Sequence, residues 1–143
     1  MMVLVTGASG FVGNATCVRL VSQGMDVIGT VRHLPNRPLP GLEYRIVGDL
    51  DSNSDWFAAL TGVGAVIHCA ARVHVMRETA ADPLQEFRRV NVGWTERLAR
   101  TAASQGVHRF VYLSSIKVHG EQSIAPFTEQ DLPKPQDPSG ISK

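Results

Sequence analysis

Apolar runs of strand length alternate with helix-length segments from the first residue to about Ser115, and this alternation constrains the fold more than any other feature. The runs are Met2–Thr6, Asp26–Val31, Tyr44–Val47, Ala65–Cys69 and Phe110–Ser114. They are β-branched and mostly apolar on both faces, as strands covered by helices on two sides must be. Between them, Phe11 to Gln23 reads as a helix closed by Gly24, and Ser54 to Leu60 as a shorter one closed by Gly62. A third and longer helix starts at Asp82, which can cap it, with Pro83 in its first turn. Leu84, Phe87, Asn91, Trp94 and Leu98 recur on one face until Gly106 ends it. Repeated strand-helix-strand units of this kind predict an α/β chain with a doubly wound parallel sheet of about five strands.

Composition narrows the function classes. A chain of 143 residues is the size of one domain, and 43% hydrophobic with 19% charged residues is a globular composition. The net charge of +1 gives no basic surface for nucleic acid. No apolar run approaches the ~20 residues that span a bilayer, and no basic-then-apolar leader opens the chain, so a cytoplasmic protein without membrane partners is expected. Cys17 and Cys69 lack metal or redox spacing and read as reduced thiols that pack like small apolar side chains, and no metal site is expected. From Glu121 to Pro138 the chain carries Pro126, Pro133, Pro135 and Pro138 among polar residues, which predicts a long surface loop.

Directly behind the first strand stands Thr6-Gly-Ala-Ser-Gly-Phe-Val-Gly13. Gly7 lets the chain turn sharply, Gly10 leaves room between backbone and ligand, and Gly13 lets the helix pack closely on the sheet. With Ser9, Phe11 and Val12 these residues make a candidate cradle for a dinucleotide pyrophosphate, which meets free N–H groups at the positive end of the helix. An ordinary strand-to-helix turn with three glycines is the plain alternative. The second strand ends in Ile28-Gly-Thr-Val-Arg-His33. No carboxylate stands there to bind a ribose 2′-hydroxyl, whereas Arg32 offers a donor fork for a 2′-phosphate, so the expected cofactor is NADP or NAD, with NADP favoured. An arginine solvated at a strand end is the plain alternative for Arg32.

These residues, with Gly48-Asp-Leu50, His68-Cys-Ala-Ala71, Asn91 and Leu113-Ser-Ser115, make the chain resemble an extended short-chain dehydrogenase/reductase. The resemblance is to the NAD(P)-dependent epimerase/dehydratase proteins of nucleotide sugars, which include UDP-glucose 4-epimerases and 4-keto-sugar reductases. It implies a Rossmann-like fold, with Asp49 and Leu50 at the adenine and Cys69, Ala70 and Ala71 along the middle of the cofactor. It also implies that Asn91 steadies the active-site strand. In this family a serine or threonine acts with a Tyr-x-x-x-Lys pair: Ser115 matches the hydroxyl, with Ser114 as its alternative, and Lys143 matches the lysine. Residues four apart share a helix face and can act on one substrate and one cofactor together.

Two departures qualify the resemblance. In Pro138-Ser-Gly-Ile-Ser-Lys143, Ser139 occupies the position of the family tyrosine. A phenol with a pKa of ~10 can be drawn down to act as a base, and a serine hydroxyl cannot replace it. Tyr112, within a strand, is not a simple substitute; His119 is a candidate proton relay, set against an ordinary loop histidine. The second departure is length, since family members continue for about as many residues again. Residues 1–143 then read as an incomplete NAD(P)-binding Rossmann domain, truncated before the last strands and the substrate domain. An uncovered fifth strand would favour a homodimer or strand-edge association. The expected function is that of a nucleotide-sugar epimerase or reductase with impaired catalysis. A catalytically inactive dinucleotide-binding sensor or regulatory module is the alternative, and a ligand-free scaffold a third reading.

Overall fold

The computed structural model describes residues 1–48, 55–73 and 80–143. These divide into two compact units, Met1–Ala71 with Trp94–Leu113, and Arg72–Gly93 with Ser114–Lys143.

The first unit holds a parallel sheet of β1 (Met2–Thr6), β2 (Val27–Val31), β3 (Glu43–Ile46), β4 (Val63–His68) and β5 (Arg109–Tyr112), in the order β3-β2-β1-β4-β5. The parallel sheet expected from the alternation forms, in the Rossmann-like arrangement that the resemblance implies. The chain begins in the middle of the sheet, builds outward through β2 and β3, and then crosses to the other side of β1 to lay down β4. Register runs Val3 to Val27 and Thr6 to Thr30 on one side of β1, and Thr6 to His68 on the other. The carboxyl ends of β1 and β4 therefore stand side by side where the strand order reverses, the place at which open α/β sheets offer a crevice.

Alternation along the strands sorts the side chains into two cores. Leu4, Ile28 and Val66 point to one face, where they pack with Trp56 and Leu60 and with Trp94, Leu98 and Ala102 of α4 (Trp94–Ser104). Trp56, in α2 (Trp56–Ala59), meets Trp94 edge-on at 5.3 Å and 89°, an arrangement worth ~0.5–1.5 kcal/mol beyond the burial itself. Val3, Val5, Val27, Val31 and Ala65 point to the other face and pack with Cys17 of α1 (Phe11–Ser22). Burial pushes the Cys17 thiol up to about 11, and nearby Cys69 adds to the shift. Cys17 is thus protonated at neutral pH and packs as a small apolar group, as expected; Cys69 lies half-buried just after β4. On this same face Gly29 makes room for a neighbour: a Cβ there would lie 2.7 Å from the Ala8 Cβ and 3.2 Å from Leu42.

β5 lies at the edge of the sheet, and its Val111 is 43% exposed. The strand ends sooner than expected, at Tyr112, although the Leu113 N–H still donates to the His68 carbonyl at 3.2 Å. No helix among the described residues is long and apolar enough to cross a membrane.

The second unit contains α3 (Pro83–Arg88), a π-helical turn (Arg89–Gly93), a 3-10 turn (Ile116–His119) and α5 (Pro138–Ile141). Asp82 caps α3 as expected, accepting the Gln85 N–H at 3.0 Å, and Pro83 opens its first turn. The segment expected as one uninterrupted helix widens into the π turn at Arg89. Within that turn Asn91 is 3% exposed and uses its whole amide group on partners outside the helix. Residues 120–137 form the expected loop, pinned where Lys134 N–H donates to the Val118 carbonyl at 2.9 Å.

Candidate dinucleotide and proton-transfer sites

In the first unit the chain leaves β1 at Thr6 and turns through Gly7, whose φ of 66 is a left-handed value that few residues but glycine tolerate. The turn closes on itself: Gly10 N–H donates to the Gly7 carbonyl at 2.9 Å, and Asn14 N–H to Gly10 at 2.8 Å. Ala8 N–H is tied to the Thr30 carbonyl of β2 at 3.2 Å. Gly13 sits so near this turn that a Cβ would lie 2.1 Å from the Gly7 oxygen. Gly10 is the N-cap of α1 and gives it no side-chain cap. Ser9, Gly10, Phe11 and Val12 are exposed, Phe11 at 95%. The first N–H groups of this twelve-residue helix therefore have no side-chain cap, and the residues around its start are exposed.

The chain behind β4 comes close to the same turn. A Cβ on Gly7 would stand 3.0 Å from both Cα and N of Ala70. Ala70 N–H donates to the Thr6 hydroxyl at 3.0 Å, and that oxygen lies 2.6 Å from Nδ1 of His68, which is fully buried. His68 Nε2 reaches the Thr95 hydroxyl of α4 at 2.9 Å. One imidazole thus links the ends of β1 and β4 to the helix behind them. The glycine spacing foretold the turn; the Thr6–His68–Thr95 bridge gave no signal beyond a polar residue at the end of each strand.

Arg32 follows β2 directly and is exposed, as is His33. Asp49 and Leu50 lie outside the described residues. Cys69, Ala70 and Ala71 leave β4 beside Gly7 as a half-buried segment.

The remaining site residues lie in the second unit. Ser115 is half-buried and caps the 3-10 turn, its hydroxyl accepting the Lys117 N–H at 3.3 Å, whereas Ser114 is exposed. Asn91 Oδ1 accepts the Arg72 N–H at 2.7 Å, and Nδ2 donates to the Arg72 carbonyl at 3.1 Å and to the Ser142 hydroxyl at 2.9 Å. An asparagine side chain here does what a neighbouring strand would do for Arg72, and it also holds the residue before Lys143. Ser142 in turn donates to the Ser139 carbonyl at 2.9 Å. Ser139 and Lys143 are both half-buried, and Lys143 N–H donates to Gly140 at 3.2 Å. Asp137 caps α5 through the Gly140 N–H at 2.6 Å and binds Lys117 Nζ at 2.5 Å.

Lys117 and the Gly140 N–H together hold the Asp137 carboxyl below its ordinary value, while hydrogen bonds to Asp137 and Glu121 raise Lys117. The carboxylate thus stabilises the folded chain above its ordinary pKa and loses that contribution as pH falls through the lowered one. The ammonium does the reverse: its contribution is complete below its ordinary pKa and is lost as pH rises through the raised one. Sequence reading singled out neither Lys117 nor Asp137, and of the two only Asp137 carried a signal, an N-cap residue before a proline.

Two other candidates make ring contacts. Burial raises the Tyr112 phenol, and its ring lies 5.8 Å from that of His68. His119 stacks on Phe127 at 5.7 Å, and its buried Nδ1 has no hydrogen-bond partner among the described residues.

Residues 3–143 match the NAD dependent epimerase/dehydratase family. A UDP-glucose 4-epimerase of Vibrio cholerae is 40% identical over 144 residues, covering 99% of this chain and 43% of its own. Among solved structures, a short-chain dehydrogenase/reductase superfamily protein from Agrobacterium tumefaciens with bound NAD superimposes with a TM-score of 0.84 at 34% identity. That match covers all of this chain and 42% of the other. MoeE5, in complex with UDP-glucuronic acid and NAD, superimposes at 0.81 with 35% identity, covering 99% of this chain and 46% of its own. The chain spans less than half the length of these relatives. Glycine turn, sheet order and sequence match agree, and the chain belongs to the NAD dependent epimerase/dehydratase family.

Proposed function

We propose that this chain binds NAD(P) on its glycine turn and supplies the cofactor-binding part of a nucleotide-sugar epimerase or reductase, with proton transfer impaired by Ser139. The observation that carries the reading is the turn itself: Gly7 and Gly13 are in backbone contact, and the exposed start of α1 adjoins the segment after β4. Its uncapped N–H groups suit a pyrophosphate in charge and geometry. Ser9 and Gly10 would lie against that group, Phe11 and Val12 beside it, and Cys69 to Ala71 along the middle of the dinucleotide. Asp49 and Leu50 keep their proposed place at the adenine. A bound nicotinamide supplies the hydride acceptor.

In this reading Ser115 hydrogen-bonds the reacting oxygen, and the Lys143 ammonium lowers the pKa of whatever acid stands at position 139. Asn91 steadies both the Arg72 backbone and α5. Ser139 itself is too weak an acid to move the proton, so the chain binds cofactor with little turnover. That same serine favours a second reading, an inactive dinucleotide sensor that keeps the cradle without the chemistry. A cytoplasmic setting suits both, because Cys17 and Cys69 form no disulfide.

Exposed Arg32 and His33, with no carboxylate among the described residues at the end of β2, favour NADP over NAD. Fluorescence titration should give a lower Kd for NADPH than for NADH. A tenfold preference for NADH would sink the assignment of Arg32, and no binding of either would sink the proposed function. We also infer self-association through the open edge of β5, where Val111 stands exposed. Sedimentation should show a dimer whose fraction rises with concentration; a monomer at every concentration rejects it.

A further inference from the structure

Helix α5 is only four residues long, and isolated helices below ~12–15 residues are marginal in water. Gly140 near its centre weakens it further, by ~0.5–1 kcal/mol against alanine. Contacts outside the helix must hold it, and Lys117 meets it twice. Through the main chain, a Cβ on Gly140 would lie 2.7 Å from the Lys117 carbonyl oxygen, so the two backbones touch. Through the side chain, Nζ donates to Asp137 Oδ2 at 2.5 Å while Asp137 Oδ1 accepts the Gly140 N–H at 2.6 Å. One carboxylate therefore binds the ammonium and caps the helix together. Glu121 also accepts from Nζ, at 3.3 Å. The turn that carries Lys117 begins at Ser115, whose hydroxyl accepts the Lys117 N–H. A single residue is thus bonded toward Ser115 by its amide and to the cap of α5 by its ammonium, while its carbonyl packs against Gly140.

We propose that Lys117 is a positioning residue whose ammonium, acting through Asp137, sets where α5 presents residues 139 and 143 relative to Ser115. The inference rests on the reading of those residues as the proton-transfer set, but the clasp itself is measured without cofactor. Asparagine at 137 keeps the cap and removes the charge, so Asp137→Asn separates the two roles of the carboxylate. Arginine at 117 keeps a cation and can form the same pair.

Amide hydrogen exchange followed by NMR reads the effect. In Lys117→Met and in Asp137→Asn, the Ile141 and Ser142 amides should exchange about tenfold faster, with β1 and β4 amides unchanged, because local opening is separable from global unfolding. Lys117→Arg should restore protection. The double variant Lys117→Met/Asp137→Asn should be no worse than either single one, as expected for two ends of one interaction. Unchanged exchange in Lys117→Met overturns the proposal, as does an equal rise in α5 and in the sheet, additive single effects, or no recovery with arginine. A failed dinucleotide titration would remove the proposed function and leave the clasp standing; unchanged exchange would remove the clasp and leave dinucleotide binding standing.

Discussion

Alanine at position 13 should abolish dinucleotide binding. A Cβ there would lie 2.1 Å from the Gly7 oxygen and 2.7 Å from its carbonyl carbon, where ordinary contact begins at 3.4 Å. Both obstacles are backbone, so no rotamer relieves the clash; either α1 shifts outward or the turn opens. A displacement on the order of 1 Å can cost a positioned interaction ~10²-fold, and we expect the Kd for NADPH to rise by that factor or more. Overpacking also costs stability, here ~1–3 kcal/mol, visible as a lower urea midpoint at unchanged slope. Gly64→Ala is the control, since its added methyl meets chiefly the flexible Met1 side chain. A Gly13→Ala chain that binds within threefold of the parent would show that the turn is not the cofactor cradle.

Tyrosine at position 139 should restore chemistry. The test joins residues 1–143 to the remaining half of a similar epimerase and compares Ser139 with Ser139→Tyr on UDP-glucose. A positioned general acid/base contributes ~10²–10⁴ in rate, so kcat should rise by that range, with KM changing less. Adding Lys143→Met should cancel most of the gain, because the ammonium is what draws the phenol down. Equal turnover with serine and tyrosine would remove position 139 from the mechanism. Absent turnover in both, with cofactor bound, would leave the sensor reading in possession.

What the sequence disclosed and what it withheld divide along the range of the interactions. β1 spans Met2–Thr6 as its apolar run predicts, and α1 begins at Phe11 behind the last exposed glycine of the turn. Asp82, Pro83 and Gly106 work as cap, first-turn residue and stop, because each acts on its immediate neighbours. The π turn could not be read. Leu84, Phe87, Asn91, Trp94 and Leu98 keep a spacing of three and four that an α-helix satisfies equally well. The turn carries Asn91, whose side chain is bonded to Arg72, 19 positions away, and to Ser142, 51 away, partners that no local pattern names. In the candidate sites the same rule holds: the glycine turn is local and was legible, whereas the Thr6–His68 bridge spans 62 positions. Lys117 and Asp137 stand 20 positions apart, and nothing in the local sequence announces their pairing.

The contact between Gly29 and Ala8 couples two positions that the chain places in different elements. Their side chains share one fixed volume, which a single methyl already fills. A methyl at 29 therefore requires that Ala8 lose its own or shift, and that Leu42 give by a few tenths of an ångström. Lineages diverging from this sequence can therefore cross between the two arrangements only through an underfilled or an overfilled intermediate. Drift at the root of the glycine turn is thus a paired event, slower than the freedom of either residue would suggest.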